Sequence, residues 1–144
     1  MRRTLCTVFA IASVAVLAAV ASRSVPAENK AAAKDKVFEL RTYIANPGKL
    51  DALHKRFREH TNRLFKKHGI EIVGFWTPVE GPEAENTLIY IVAFPSREAQ
   101  AKAWAAFRAD TEWIKAKEES HKDGVIVKEV KSTTMRATDY SPIR

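Results

Sequence analysis

Cysteine is nearly absent from this 144-residue chain, and its single copy, Cys6, lies close to the N-terminus. One cysteine cannot form an internal disulfide or a Cys-x-x-Cys pair for redox or zinc chemistry. The sequence also lacks a glycine-rich phosphate loop, a dinucleotide fingerprint and a nucleophile elbow. These absences argue against the common nucleotide-dependent and thiol-dependent enzymes.

Metal-binding patterns of histidine are missing as well. His54 and His60 are six residues apart on one predicted helix and therefore point about 240° apart. His60 and His68 are separated by about 12 Å along the same helix axis, and His121 lies on another element. No His-x-x-x-His pattern occurs, so the sequence predicts no metal site, and we expect no cofactor.

Only one long stretch of the chain lacks charge, and it runs from Leu5 to Ala21 directly after the basic start Met1-Arg2-Arg3. Its length of about 17 residues is near the lower limit for crossing a bilayer. Residues 19–21, Ala-Val-Ala, form the small-x-small pattern of a signal-peptide cleavage site. We therefore predict a signal peptide over residues 1–21 and a periplasmic or secreted protein. An anchor that is retained in the membrane is the alternative.

Cleavage after Ala21 would remove Cys6, Arg2 and Arg3, which leaves 22 basic residues against 17 acidic ones and a net charge of +5. Nucleic acid is not an expected partner for an exported chain of this modest charge. Apart from the signal peptide, membrane contact is expected only as a weak interaction through a basic face of the first helix. The residues assigned to that face are Lys55, Arg56, Arg63, Lys66 and Lys67.

The rest of the chain predicts a flexible linker over residues 22–36 and one α+β domain over residues 37–144. Alternating and continuous apolar runs predict four strands, at 37–44, 70–76, 87–94 and 125–135. Helices are predicted at 49–68, ending at Gly69, at 97–108 after an N-cap at Ser96, and at 111–120 after an N-cap at Asp110. The order β-α-β-β-α-β is that of a ferredoxin-like domain, with both helices on one face of an antiparallel sheet.

The predicted core includes one stripe of the first helix and an inward pair on each later helix. Trp104 and Phe107 are one turn apart and are expected in the core, as are Trp113 and Ile114. Arg56 is expected on the solvated side of the first helix. The apolar stripe of that helix consists of Leu50, Leu53, Phe57, Thr61 and Leu64, with Phe65 at its edge.

The third strand is apolar on both faces, which predicts a homodimer. Leu88 and Tyr90 belong to one row of this strand, while Ile89 and Ile91 belong to the other. Two helices cover only one face of the sheet, so one row would contact water in a monomer unless a second sheet packs against it.

Five residues are candidates for ligand binding. Three of them share one face of the first strand, which is either a solvated outer face with a cross-strand ion pair or a face covered by a partner subunit, where buried charges need partners. His60 is either a half-buried histidine bonded to backbone or the wall of a pocket between helix and sheet. Trp76 is either a core residue or a pocket wall. The five candidates are Glu39, Arg41, Tyr43, His60 and Trp76.

Several segments of the domain resemble the NIPSNAP family. The resemblance spans nearly all of the chain after the signal peptide, and it departs from the family at Thr111, where proline often follows the aspartate. The segments that carry it are Glu39-Leu40-Arg41-Thr42-Tyr43, Pro47-Gly48-Lys49, Phe57-Arg58-Glu59-His60-Thr61, His68-Gly69-Ile70, Val73-Gly74-Phe75-Trp76-Thr77-Pro78, Phe94-Pro95-Ser96-Arg97-Glu98-Ala99, Trp104-Ala105-Ala106-Phe107-Arg108-Ala109-Asp110, Trp113, and Thr138-Asp139-Tyr140-Ser141-Pro142.

The resemblance implies a dimeric α/β barrel in which two ferredoxin-like sheets face each other, and it implies no particular reaction. We expect an exported homodimer that binds a small apolar or aromatic ligand. The alternatives are a cofactor-independent enzyme of oxygenase or isomerase type, with His60, Arg41 or Tyr43 as acid, base or anchor, and a protein-interaction module.

Overall fold

A computed structural model describes residues 36–144. The predicted signal peptide and nearly all of the predicted linker therefore lie outside the described residues. Among residues 36–144, no helix combines the length and the apolar character needed to cross a membrane. The elements are β1 (Val37–Ala45), α1 (50–67), β2 (Glu71–Trp76), a 3-10 turn (Pro82–Glu85), β3 (Thr87–Phe94), α2 (Arg97–Ala109), α3 (Thr111–Ser120) and β4 (Val127–Met135).

The four strands form one antiparallel sheet in the order β2-β3-β1-β4. The three helices cover one face, as shown by Trp104 of α2, which bonds to Glu39 of β1, and by Phe57 of α1, which packs against Tyr90 of β3. This arrangement confirms the predicted ferredoxin-like α+β fold. Strand β4 begins two residues later than predicted and β2 one residue later.

Helix α1 contains a π-helical segment that the sequence did not predict. The helix is α-helical over Leu50–Arg56, π-helical over Phe57–Thr61, and α-helical again over Asn62–Lys67. The amide of Asn62 donates to the carbonyl of Phe57, five residues earlier. Residues four positions apart drift around an α-helix, because it has 3.6 residues per turn. The wider π-helical turn offsets this drift and keeps Leu53, Phe57 and Thr61 on one face, where all three are buried. The predicted stripe is therefore confirmed, because the inserted turn keeps it facing the sheet.

The orientation of β1 corrects one prediction. Glu39, Arg41 and Tyr43 face the helices, and they do not lie on an outer face that a partner subunit would cover. Leu88, Tyr90, Val92 and Phe94 of β3 share that inner face and are fully buried. The opposite face carries Phe38, Leu40 and Ile44 of β1 beside Ile89, Ile91 and Ala93 of β3.

Two helical residues also lie elsewhere than predicted. Arg56 is 4% exposed, and its guanidinium stacks at 5.2 Å on the Trp113 ring of α3. It is three residues after Leu53, at the edge of the apolar stripe, and α3 packs across this edge and removes it from solvent. Ile114 is 42% exposed, so of the predicted inward pair only Trp113 packs against the core.

The predicted helix caps are confirmed. The Ser96 hydroxyl accepts a bond from the Ala99 amide, and the Asp110 carboxylate accepts one from the Glu112 amide. Gly69 follows α1 with a φ of +71°, a left-handed conformation that glycine adopts without strain. Asp110 also contacts the end of α1, where its Oδ2 lies 2.6 Å from His68 Nε2 and 2.8 Å from Lys67 Nζ.

We expect Asp110 to make the domain sensitive to acid. The bonds from Lys67 and His68 hold the pKa of Asp110 well below its usual range. A carboxyl with a depressed folded-state pKa stabilises the fold above its unfolded pKa of about 3.9, and this contribution declines as pH falls below that value. Asp110→Asn keeps an N-cap side chain but should melt below the wild type at neutral pH, with a difference that shrinks below about pH 4.

The measurement is the melting temperature against pH for the wild type and Asp110→Asn. Asp123→Asn is the matched control, because Asp123 lies in the exposed turn after α3 and makes no side-chain ion pair within the described chain. A melting difference between wild type and Asp110→Asn that stays constant down to pH 2 would contradict the expectation.

Candidate functional site

A cavity of about 450 Å³ opens on the helix-covered side of the sheet, where α2 and α3 diverge from β1 and β4. Its volume is within the range of small-ligand sites. Strands β1 and β4 and all three helices contribute to its wall. The lining residues are Arg41, Tyr43, Arg56, Trp104, Phe107, Arg108, Trp113, Lys117, His121, Val125, Val127, Lys128, Glu129 and Val130.

Aromatic rings form the inner wall of this cavity. The Phe107 and Trp113 rings are 4.5 Å apart, and those of Trp104 and Phe107 are 5.8 Å apart. Tyr43 packs at 5.4 Å against Tyr90, which connects the wall to the buried aromatic core. Val125 and Val130 add apolar surface near the opening and are 58% and 40% exposed. The wall thus offers flat apolar surfaces of the kind that contact planar ligands.

Glu39 lies behind this wall and accepts four hydrogen bonds. Its Oε2 accepts from Trp104 Nε1 and from Gln100 Nε2, both at 2.6 Å, and its Oε1 accepts from Ser132 Oγ at 2.6 Å and from an Arg41 nitrogen at 2.8 Å. Burial raises the pKa of Glu39, but these donors lower it overall. Glu39 is therefore an ionised, fully bonded anchor that holds Trp104 and Arg41 in place.

Arg41 projects from β1 between two aromatic rings. Its guanidinium carbon lies 4.6 Å from the Trp104 ring centroid and 5.5 Å from that of Tyr43. Burial lowers the pKa of Arg41, but Tyr90, Tyr43 and Glu39 outweigh burial, so the pKa is raised above its usual value. Its Nε is buried and has no hydrogen-bond partner among residues 36–144.

Arg56 is the second guanidinium of the cavity and the more deeply buried one, and no carboxylate of the described chain pairs with it. Its contacts are with neutral groups, Ser120 Oγ at 3.2 Å and His121 Nε2 at 3.5 Å. Its Nε is buried and has no partner in the part of the chain that the structure describes. Burial lowers the pKa of Arg56, yet a guanidinium stays charged at neutral pH.

His121 lies beside Arg56 at the end of α3 and contributes a neutral imidazole. Burial, together with the positive charges of Arg56 and Lys117, lowers the pKa of His121. The exposed cations Arg108, Lys117 and Lys128 surround the opening, with Glu129 as the single acidic residue of the lining. The potential at the opening is therefore positive and attracts anions.

The structure brings three of the five predicted ligand-binding residues together, since Arg41 and Tyr43 line the cavity and Glu39 supports them. His60 is not at this site. It lines a separate depression of about 330 Å³ between α1 and α3, and its side chain is 42% exposed. Trp76 lies at the far edge of the sheet, is 50% exposed and packs over Gly74.

Sequence reasoning missed Arg56 and His121 as site residues. Arg56 was assigned to a solvated basic face, and the depth at which it lies depends on contacts with residues 57 to 65 positions away. His121 was considered only as a metal ligand. Within residues 36–144, no group of three or more histidine, cysteine, aspartate or glutamate side chains is arranged to hold a metal ion.

Comparison with known proteins gives a consistent family. The NIPSNAP family profile matches residues 38–142. A NIPSNAP family protein of unknown function from Agrobacterium tumefaciens is 25% identical, with 77% of this chain and 96% of that chain covered and a TM-score of 0.67. A NIPSNAP-like domain protein from Burkholderia xenovorans is 16% identical, with 76% and 90% covered and a TM-score of 0.66.

A more distant match has a described activity. SnoaB, a cofactor-independent oxygenase from Streptomyces nogalater, is 12% identical, with 75% of this chain and 98% of that chain covered and a TM-score of 0.51. At that identity the likeness shows the fold alone. No curated protein sequence gives a significant match. Because the family profile covers most of the chain, this protein is a member of the NIPSNAP family.

Proposed function

We propose that this protein is a homodimeric, exported NIPSNAP domain that binds a small aromatic ligand in the cavity between its helices and sheet. The observation that carries the proposal is the cavity itself, which measures about 450 Å³ and is walled by Tyr43, Trp104, Phe107 and Trp113. A purely surface-mediated interaction module has no need of such a half-enclosed space, and a tightly packed contact between helices and sheet would have favoured that role.

An enzyme acting on the same ligand is the second candidate, and His121 is the observation that favours it. A neutral imidazole at the cavity, with its pKa lowered by burial and by Arg56 and Lys117, is suited to accept a proton from a bound molecule. In this candidate His121 takes the acid-base role, while Arg41 and Tyr43 orient the ligand. The cofactor-independent oxygenase of the same fold is an analogy for such chemistry and no more than that.

We expect an aromatic small molecule to co-purify with the protein from its own host. Native mass spectrometry should show about one such molecule per chain, because the cavity lies within a single subunit. Val130→Trp should abolish retention, since Val130 lines the cavity and an added indole would occupy it. Lys102→Trp is the control, because it adds the same group to the exposed surface of α2.

The proposal would be wrong if the native protein carries no ligand and binds no aromatic probe of any charge. Equal ligand retention by the wild type and Val130→Trp would place the ligand outside this cavity. Turnover of the retained molecule by the wild type, lost in His121→Gln, would favour the enzyme over the binding protein.

A further inference from the structure

Arg56 is a buried positive charge that the described chain does not neutralise. Moving a guanidinium out of water costs several kcal/mol unless an anion and hydrogen bonds replace its hydration. Arg56 is 4% exposed, its nearest polar neighbours are Ser120 and His121, and its Nε has no partner within residues 36–144. An anion that enters the cavity from outside would supply both the charge and the hydrogen-bond acceptor that this guanidinium needs.

The other arginine of the cavity, which is only partly buried, shows the contrast. Arg41 pairs with Glu39 at 2.8 Å, so the two form a neutral unit whose carboxylate is already saturated by Trp104, Gln100 and Ser132. Glu39 has no bonding capacity left for Arg56. The buried part of the cavity thus has a net charge of one positive unit, centred on Arg56.

We infer that the ligand is an aromatic carboxylate, with its single negative charge on Arg56 and its ring against Trp113 and Phe107. This inference rests on the proposed ligand-binding function and names the chemical class of the ligand. One negative charge neutralises the buried excess, whereas a phosphate dianion would leave an uncompensated negative charge inside. The planar guanidinium fork matches the two oxygens of a carboxylate.

The surrounding groups fit this assignment. Arg56 lies 5.2 Å from the Trp113 ring and Trp113 lies 4.5 Å from Phe107, so the charged and aromatic contacts are adjacent. The exposed Arg108, Lys117 and Lys128 surround the opening and draw anions toward it without adding to the buried charge.

Three matched probes test the inference by isothermal titration calorimetry on the wild-type protein, after any co-purified ligand has been removed. They are 2-naphthoate, its neutral isostere 2-naphthamide, and the dianion 2-naphthyl phosphate. We expect 2-naphthoate to bind about ten- to a hundredfold more tightly than 2-naphthamide, the ratio given by a charged hydrogen bond. 2-Naphthyl phosphate should bind less tightly than 2-naphthoate.

Arg56→Met separates ligand recognition from a structural role. Because the substitution removes an unpaired buried charge and keeps a long apolar side chain, the unliganded variant should melt at or above the wild type. It should bind 2-naphthoate no better than 2-naphthamide, while its affinity for 2-naphthamide stays at the wild-type value. Arg63→Met on the exposed side of the same helix is the control and should bind all three probes as the wild type does.

The outcomes distinguish this inference from the proposed function. If 2-naphthamide binds the wild type as tightly as 2-naphthoate, the cavity binds aromatic ligands but the carboxylate assignment is wrong. Tighter binding of 2-naphthyl phosphate, unchanged 2-naphthoate affinity in Arg56→Met, or a lower melting temperature of that unliganded variant would each also overturn the assignment. Failure of all three probes to bind would overturn the proposed function itself.

Discussion

Replacing Glu39 with leucine is expected to destabilise the domain by about 3–5 kcal/mol, because it leaves a partly buried arginine and the buried donors of Trp104 and Gln100 without their carboxylate. Glu39 is 3% exposed and receives bonds from Trp104, Gln100, Ser132 and Arg41. Leucine can accept none of them, so the Arg41 charge and the donors of Trp104 and Gln100 would lose their buried partner. Chemical denaturation followed by far-ultraviolet circular dichroism measures the loss.

A double substitution tests the stated cause. In Glu39→Leu/Arg41→Leu the uncompensated charge is gone as well, so the double variant should be more stable than Glu39→Leu alone. Glu71→Leu is the control on an edge strand, because Glu71 forms an exposed ion pair with Lys36 at 3.2 Å, and such pairs contribute about 0–1 kcal/mol. A double variant that is less stable than Glu39→Leu would contradict this cause, because it would show that the uncompensated Arg41 charge is not what destabilises the single variant.

The local pattern of the sequence was sufficient to predict the elements and their order. Alternation over β1, the stripe of α1 and the caps at Ser96 and Asp110 depend on residues within a few positions of one another, and a sequence displays such relations directly. The ferredoxin-like plan follows from that order because connections in small domains are short and rarely cross.

The inward face of β1 could not be predicted in the same way. One row of this strand is apolar, with Phe38, Leu40 and Ile44, and the other carries Glu39 and Arg41, so the charged row was assigned to the outside. Glu39 faces inward because Gln100, Trp104 and Ser132, at 61 to 93 positions along the chain, provide its donors. Partners so distant in sequence are visible only once the fold has brought them together.

Arg56 illustrates the same limit for the site. Buried, unpaired arginines are rare, so a charged residue at the edge of an apolar stripe is normally assigned to solvent. Its burial is caused by α3, which brings Trp113, Ser120 and His121 across α1. Arg41 and Tyr43 were predicted as ligand-binding residues from their shared face of β1, whereas Arg56, which carries the unpaired charge of the cavity, was not.

The uncovered face of the sheet underlies the second large effect, the loss of the proposed dimer. Ile91 pairs with Leu40 on one side and with Gly74 on the other, and Ile89 pairs with Thr42 and Trp76, so the apolar side chains of this face are concentrated on β1 and β3. On β4 the same face carries Glu129, Lys131 and Thr133. Leu40, Ile44, Ile89 and Ile91 remain only partly buried. Ile143 of the C-terminal segment lines an open depression together with Phe38, Val73 and Ile91, and it is itself 54% exposed.

We therefore expect the wild type to have twice the mass of one chain in light scattering at micromolar concentration, and Ile91→Asp to have the mass of one chain. A carboxylate between two apolar sheets would have to be desolvated without a partner, at a cost of several kcal/mol, which corresponds to more than about a thousandfold in the dimer dissociation constant. Ile114→Asp is the control, because Ile114 is 42% exposed on α3 and distant from this face. Circular dichroism verifies that both variants are folded.

Because the cavity with Arg41 and Arg56 lies on the opposite side of the sheet, monomeric Ile91→Asp should still bind 2-naphthoate as the wild type does. A wild-type protein with the mass of one chain would contradict the dimer and leave the cavity assignment intact, whereas loss of 2-naphthoate binding in folded, monomeric Ile91→Asp would show that the two faces are coupled through the sheet.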